Sequence, residues 1–411
     1  MRNFKIFAFV AASLLSAALC GCDGKTADAE VAVIELPVPE RPAGQEDVIG
    51  LALPPMDTVR VGFIGLGMRG PGAVERFTHL DGVKIVALCD IRPERVAFSS
   101  DIVTKAGMPE PVGYSGDSTV WKQLCDRDDI DLVYICTDWD THVPMAVYAM
   151  EHGKNVAVEV PATTSLDECW LMVNTAEKTR KHCMMLENCC YDFFEMATLN
   201  MAQKGLFGEI MHVEGAYIHD LRSLNLETDD RAGYYNMWRL NYNETHTGNP
   251  YPTHGLGPVC QVLNIHRGDR MDYLVSVSSA QRGITVAAEE KFGKDSEFAR
   301  RDYRLGDMNT TLIRTAKGKT IMIQHDVTSP RPYDRLHTIS GTKGFAQKYP
   351  VEGIALEPHA HSFLPKPQMD SLMALYEHPL AREIGEKARQ VGGHGGMDFI
   401  MDYRLIYCLR N

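Results

Sequence analysis

Residues 58–70 read Thr-Val-Arg-Val-Gly-Phe-Ile-Gly-Leu-Gly-Met-Arg-Gly, an apolar strand running straight into a glycine turn. Gly65, Gly67 and Gly70 carry the Gly-x-Gly-x-x-Gly spacing. The first glycine permits the tight turn, the second lets backbone approach a pyrophosphate, and the third lets helix and strand pack closely. Pro71 then starts a helix whose first N–H groups point at phosphate. A second apolar strand, Val83–Cys89, ends in Asp90, placed to accept hydrogen bonds from the adenosine ribose hydroxyls. An acid there favours NAD over NADP. Arg92 is placed to hold a 2′-phosphate, but the aspartate already present repels one. A glycine triplet alone is weak evidence. Strand, glycines, helix, strand and terminal acid in order predict a dinucleotide-binding domain.

The βα rhythm continues. A helix is expected around Pro93–Ala106, and Asp117 caps a helix carrying Val120, Trp121 and Leu124 on one face. Asp131–Thr137 is a near-continuous apolar strand, as a sheet buried on both faces requires. Asp138–His142 is read as the loop beyond it, followed by a helix from Pro144 to His152. Asn155–Glu159 is the next strand, Ser165-x-x-Glu168 is a capping box, and His182–Leu186 is a sixth strand, followed by Glu187 and Asn188. Ligands of such sheets bind beyond the carboxyl ends of the strands. From about residue 196 the rhythm changes. Residues 221–270 read as loop-rich, and β-type runs follow at Tyr273–Ser279, Asn309–Thr315, Thr320–Val327 and His337–Ser340. A Lys317-Gly318 turn makes a hairpin of the middle two. The fold expected is α/β: a Rossmann dinucleotide-binding domain over 58–195, then an α+β domain over 196–411 with an open, mainly antiparallel sheet. Loops of such a second domain usually supply substrate contacts.

The N-terminus reads differently. Arg2 and Lys5 precede an apolar run from Ile6 to Leu19, too short for a spanning helix. It ends Leu19-Cys20-Gly21-Cys22, similar to a bacterial lipoprotein signal with Cys22 as the acylated residue; an ordinary secretory leader cleaved nearby is the alternative. Residues 1–22 are therefore expected as a signal and 23–57, small, polar and Pro-rich, as a tether. The expected location is exported, lipid-anchored, and periplasmic or at the cell surface. The net charge of −12 over 411 residues argues against nucleic acid. Beyond the two leader cysteines, nine show no repeated spacing, so mostly free, buried thiols are expected and no metal site is.

The plan resembles the glucose–fructose oxidoreductase/inositol dehydrogenase superfamily, through the glycine turn, Asp131…Thr137…His142 and the Glu159-Val160-Pro161 tripeptide. In simple dehydrogenases of that group the middle residue is a lysine that helps remove the hydroxyl proton; Val160 cannot. Four motifs point further. Glu159-Val160-Pro161, Trp139-Asp-Thr-His142, Tyr251-Pro-Thr-His254-Gly-Leu-Gly-Pro258 and His394-Gly-Gly-Met-Asp398 resemble glycoside hydrolase family 109, whose members are NAD-dependent α-N-acetylgalactosaminidases. The resemblance covers essentially all of 57–411. It implies that Met68, Arg69, Asp90, Trp139, Asp140, Thr141, His142, Glu159, Val160 and Asn188 contact NAD, with Gly65, Gly67 and Gly70 forming the turn. It implies that Tyr217, Arg239, Tyr251, Pro252, Thr253, His254 and Tyr333 contact the sugar. Family members run on beyond a segment like Tyr403–Asn411, so a missing tail is expected.

Tyr251 and His254, three apart on a Pro-containing turn, are the candidate acid–base pair, weighed against an ordinary packed histidine. Arg239 is read either as a sugar ligand or as half of an ion pair. Conventional glycosidases need two carboxylates astride the bond; Glu244 alone stands near the motif. A redox route removes that need, and NAD-dependent glycosidases are a known exception. The leading reading is a glycosidase acting on terminal α-N-acetylgalactosamine of glycoconjugates. The alternatives are an exported NAD-dependent sugar or cyclitol dehydrogenase, and a non-enzymatic glycan-binding lipoprotein retaining NAD. A second copy pairing through the open sheet is also expected.

Overall fold

The computed structural model describes residues 4–7 and 33–411. Phe4–Phe7 (β1), within the expected signal, and Val33–Leu36 (β2), within the expected tether, form an antiparallel edge pair. A parallel sheet follows from Val59–Ile64 (β3), Val83–Cys89 (β4), Val112–Tyr114 (β5), Leu132–Ile135 (β6), Asn155–Val158 (β7) and Cys183–Met185 (β8). Its order, β5-β4-β3-β6-β7-β8, reverses between β3 and β6. That reversal opens a crevice beyond the carboxyl ends. Every residue of β6 and β7 is buried, as a sheet covered on both faces demands. The ring of Phe63 packs on Phe77 and Tyr134 at 5.1 Å each.

The second sheet is built on Ile210–Ile218 (β9), Met271–Ser278 (β10), Asn309–Thr315 (β11), Thr320–Asp326 (β12), Thr338–Gly341 (β13), Gly344–Gln347 (β14) and Gly353–Leu356 (β15). With the edge pair, its order is β15-β14-β13-β9-β12-β11-β10-β1-β2. Most neighbours are antiparallel; β9–β12 and β1–β10 are parallel. Helices Phe193–Gln203 and Thr253–Val262 supply one cover, with Phe194, Met201 and Val259 packed on Val213, Ile321 and Ile323. The opposite face is open and carries the exposed Val277 and Leu312.

The helix Thr253–Val262 touches the sheet backbone to backbone. A Cβ on Gly255 would lie 2.3 Å from the Ala216 nitrogen and 2.6 Å from the Gly215 carbonyl carbon. Only paired glycines allow that approach. It sets Tyr251 and His254 directly over the end of β9.

The last two helices return to the first domain. Phe399, Ile400, Leu405 and Leu409 share one core with Val59, Phe63 and Phe77. Beneath them Asp402 accepts from Arg76 Nε at 2.7 Å and Tyr134 Oη at 2.9 Å. Burial pushes its carboxyl up to about 6 against the pull of Arg76.

Several local expectations change. Trp139–His142 is the first turn of a helix, Trp139–Glu151, rather than a loop. Asp138 caps it by accepting from the Thr141 N–H at 3.2 Å, and Pro144 lies inside it. Tyr251 to His254 enter a helix rather than a turn. The loop-rich segment also holds the helix Trp238–Thr245. Part of the expected tether is docked: Arg41 grips Glu177 at 2.8 and 2.9 Å, and Arg180 donates to the Glu46 and Asp47 carbonyls. The buried Glu177 carboxylate requires such donors. The rest of the leader, Cys20 and Cys22 included, lies outside the described residues. The nine described cysteines are free, three of them buried and Cys169 and Cys408 exposed.

Gly255→Ala is expected to lower stability by ~1–3 kcal/mol or more, the cost of overpacking against backbone that cannot move aside. Urea unfolding measures it. Gly72→Ala, whose Cβ meets only an arginine tip at 3.6 Å, is the control and should unfold near the parent midpoint.

Candidate active site between the two sheets

The crevice at the strand reversal is lined by Gly65, Gly67, Met68, Arg69, Asp90 and Thr141 of the first domain. Gly65 has φ +89°, and a Cβ there would meet the Cys136 carbonyl carbon at 2.7 Å. A Cβ on Gly70 would meet the Gly65 oxygen at 2.1 Å. The turn therefore exists only with glycine. Asp90 stands at the end of β4, where its two oxygens accept from the Leu66 and Arg92 N–H groups at 2.7 and 2.9 Å. Glycine cradle, helix N-terminus and oriented acid together fit a dinucleotide.

The second domain closes this crevice. Gly233, Tyr234, Tyr235 and Trp238 form its far wall. Arg92 Nη2 pairs with Asp230 at 2.8 Å and its guanidinium lies 5.1 Å from the Tyr235 ring centre, while Arg95 donates to the Asp230 carbonyl at 3.0 Å. The cation beside Asp90 is thus already partnered, which works against capture of a 2′-phosphate.

Other expected cofactor residues lie behind or beside the crevice wall. Asp140 is exposed on the helix. His142 is buried, its ring nitrogens 2.8 Å from the Pro161 carbonyl and 3.1 Å from that of Thr137. It ties the β6 and β7 loops together, so its side chain does not face the crevice. Trp139 and Val160 enter an aromatic cluster with Tyr217, Tyr242 and Tyr251. Glu159 accepts from Arg69 Nε at 3.3 Å, and Asn188 donates to Asp398 at 2.5 Å.

The cluster is where the domains meet. The Tyr251 ring lies 4.6 Å from Tyr217 and 5.8 Å from Trp139. Tyr251 Oη stands 3.4 Å from His254 Nε2, and His254 Nδ1 stands 2.7 Å from Glu187 Oε1. Arg239 sits inside an aromatic cage, its Cζ 5.1 Å from the ring centres of both Trp139 and Tyr251. It donates to Tyr234 Oη at 3.0 Å, it pairs with no carboxylate among the described residues, and its Nη2 is buried without a partner. No ion pair holds Arg239 among the described residues; its polar neighbours are the Tyr234 and Tyr217 hydroxyls. Tyr333 is part-exposed, its ring 5.1 Å from His219, which in turn lies 6.1 Å from Tyr217. Pro252 precedes the helix as its cap, and Thr253 opens it with a buried hydroxyl beside the Glu187 carboxylate.

Glu244 is tied to Arg301 at 2.8 Å and so is not one of a catalytic carboxylate pair. Glu187, Cys189 and His254 hold three potential ligand atoms within 4.8 Å of one another. The closest two, His254 Nδ1 and Glu187 Oε1, stand at hydrogen-bond distance, and burial with the nearby Glu187 charge pushes the Cys189 thiol well above its ordinary value. A metal ion would need that thiol deprotonated. Glu187 carries no motif signal of its own; its only mark in the sequence is its place directly after the sixth strand.

Two family models match the chain. "Glycosyl hydrolase 109, C-terminal domain" covers residues 191–411, and "Oxidoreductase family, NAD-binding Rossmann fold" covers 59–187. An alpha-N-acetylgalactosaminidase of Bacteroides fragilis is 60% identical over 367 residues, 89% of this chain and 86% of that protein. A glycosyl hydrolase family 109 protein of Phocaeicola vulgatus is 54% identical over 429 aligned positions, 100% of this chain and 88% of that protein. Among solved structures, levoglucosan dehydrogenase in complex with NADH superposes with a TM-score of 0.59 at 18% identity, covering 85% of this chain and 90% of the other. That likeness concerns the fold alone.

Asp90→Ala is expected to weaken NAD binding by about 1–3 kcal/mol, the cost of losing hydrogen bonds to a charged acceptor. Calorimetric titration of cofactor-stripped protein measures it. An unchanged affinity would mean that Asp90 serves only to hold the glycine turn.

Proposed function

The chain belongs to glycosyl hydrolase family 109, and from that premise we propose that it hydrolyses terminal α-N-acetylgalactosamine from glycoconjugates by an oxidation–elimination–hydration–reduction route. NAD is its cofactor, held by the glycine turn, Arg69 and Asp90. When bound, the cofactor would supply a reversible hydride acceptor for sugar carbon C3; the C3 hydroxyl proton would leave to solvent through the Tyr251–His254 pair, and both would be restored in each turnover. A ketone at C3 makes the C2 proton acidic. The Tyr251–His254 pair then moves that proton: the C2–H electrons form the C1=C2 bond, and the C1–O pair departs with the aglycone. Water then adds: its hydroxyl bonds to C1, the pair returns the proton to C2, and the remaining water proton ends on the aglycone oxygen. Arg239 offers its free Nη2 to a sugar oxygen or to the N-acetyl carbonyl, while Tyr217 and Tyr333 flank the ring.

The observation that carries this reading is the caged Arg239 beside the Tyr251–His254 pair. A buried cation with no carboxylate partner suits a polar ligand. It stands at the junction with the nucleotide crevice, in a site whose tripeptide has Val160 in place of a proton-accepting lysine. A dehydrogenase of the simpler kind lacks its base here. A mere binding protein has no use for an acid–base pair at a hydride acceptor.

The leader supports export with lipid attachment at Cys22, through its basic start, its apolar run and the Leu19-Cys20-Gly21-Cys22 ending. Fatty-acid labelling lost in Cys22→Ala tests it. The open sheet face with Val277 and Leu312 suits pairing with a second copy, which light scattering at micromolar concentration would detect.

Purified protein should release the chromophore from an aryl α-N-acetylgalactosaminide without accumulating NADH, and chelators should leave the rate unchanged. Stoichiometric NADH would instead indicate a dehydrogenase, and a loss restored by a divalent ion would reject the metal-free route. Tyr251→Phe and His254→Ala should each lower turnover by at least ~100-fold, as for a positioned acid or base. In deuterated water the released sugar should carry deuterium at C2. Near-normal mutants with no label at C2 would reject elimination.

A further inference from the structure

We propose that Glu187 is a positioning residue for this reaction: its carboxylate fixes the His254 ring so that Nδ1 carries the proton and Nε2 is the acceptor, leaving Tyr251 to donate. The inference rests on the oxidation–elimination reading, and it decides which member of the pair takes the C2 proton.

The geometry is specific. Glu187 follows the last strand of the nucleotide sheet, and His254 lies in the first turn of the helix Thr253–Val262. Their 2.7 Å contact joins the two domains at the reacting site. Glu187 Oε1 also accepts from the Cys189 N–H at 3.0 Å, so a single carboxylate oxygen takes both bonds. The helix is shaped to receive it. A Cβ on Gly257, three residues beyond His254, would meet Glu187 Cγ at 2.7 Å and Cys190 Sγ at 3.1 Å. In Tyr251-Pro-Thr-His254-Gly-Leu-Gly257 the first glycine admits the sheet and the second admits Glu187.

Protonation follows from charge. Burial pushes the Glu187 carboxyl up, but the positive charge that His254 carries when protonated, the His254 hydrogen bond, the Cys189 N–H and the Thr253 hydroxyl outweigh it and hold it below its ordinary value. An ionised carboxylate only accepts, so Nδ1 must carry the hydrogen. In the neutral ring Nε2 is then an acceptor, and it faces Tyr251 Oη. Burial, with Tyr217 alongside, pushes the Tyr251 phenol well up against the pull of Arg239. Tyr251 therefore remains a donor. In the elimination step the C2 proton goes to His254 Nε2, the C2–H electrons form C1=C2, and the C1–O electrons leave with the aglycone. The imidazolium formed lies against the Glu187 charge, which stabilises it.

The test uses the full-length holoenzyme and two variants. Glu187→Gln keeps the shape but presents an amide that need not accept from Nδ1. Turnover should fall by about 10²–10⁴-fold, the contribution typical of a positioned general base, with KM for the aryl glycoside and cofactor content within about twofold. Glu187→Asp should recover part of the rate. Nitrogen NMR of ring-labelled histidine supplies a readout independent of turnover. In the parent protein His254 should show a strongly hydrogen-bonded Nδ1–H, and in Glu187→Gln the tautomer should shift or mix. A parent His254 protonated on Nε2, or a Glu187→Gln variant at near-parental rate, would overturn the proposal. So would a stoichiometric metal ion in the purified protein, because the trio would then be a metal centre. If the parent fails to release the chromophore, the glycosidase reading falls, while the tautomer measurement still decides the role of Glu187.

Discussion

The Asp398 carboxylate holds the active region together. It is almost wholly buried, and it accepts from Asn188 Nδ2 at 2.5 Å and from Arg69 Nη2 at 3.3 Å, with His394 Nδ1 at 2.9 Å and Arg76 Nη1 at 3.7 Å. Burial alone would raise its pKa. The His394 bond and the two arginine charges reverse that and hold it well below the usual carboxylate range. The four partners come from the last loop of the nucleotide sheet, the glycine turn, the first helix and the C-terminal motif. One buried anion thus sets the glycine turn relative to the strand end that carries Glu187. Gly393 is required beside it, at φ +82°, because a Cβ there would meet Asp398 Cβ at 2.7 Å. Taking away one partner would leave two arginines and a carboxylate unequally compensated in the interior, which is far costlier than exchanging a surface pair.

Above this anchor the crevice is built on aromatic surface rather than on opposed charges. Trp139, Tyr217, Tyr234 and Tyr251 face the Arg239 guanidinium at ring-centre distances from 5.1 to 5.8 Å. A carboxylate partner would have neutralised Arg239 and used up its donors. Ring faces attract the cation while leaving its edge available. The cage draws Trp139 from the nucleotide domain and the tyrosines from the second, so forming it also fixes the angle between the domains.

The sequence made the nucleotide domain readable because its constraints are local. Glycines that no side chain can replace, an acid ending β4 and buried strands bounded by turns leave their marks within about thirty residues. The helices on either side of the site were harder to see, for physical reasons. Pro144 suggests a helix start, yet Asp138 caps the helix six residues earlier. Gly255, Gly257 and Pro258 all lower intrinsic helix propensity. They persist because the helix Thr253–Val262 must approach a strand backbone on one side and Glu187 on the other. The resemblance implies His142 as a cofactor contact, and its place at a helix start also suits a cap; the helix turns its ring toward two carbonyls. Long-range contacts left no periodic signal at all: Glu187 with His254, Arg92 with Asp230, and the C-terminal helix with Phe63 and Phe77.

Val160 gives these contacts a common sense. In a tripeptide where simple dehydrogenases carry a lysine, the proton acceptor belongs to the nucleotide domain and stands ready whether or not the second domain is in place. With valine there, the proposed acid–base pair stands in the second domain, at a helix held by Gly215 and Gly255. Its orientation comes back from the first domain through Glu187. Acid–base chemistry then requires both halves in register around a sugar already lodged beside Arg239. A chain that draws hydride and then eliminates an aglycone must keep the oxidised sugar from escaping between the two steps. Dividing the proton acceptor from the residue that orients it makes that second step depend on the closed arrangement of the two domains.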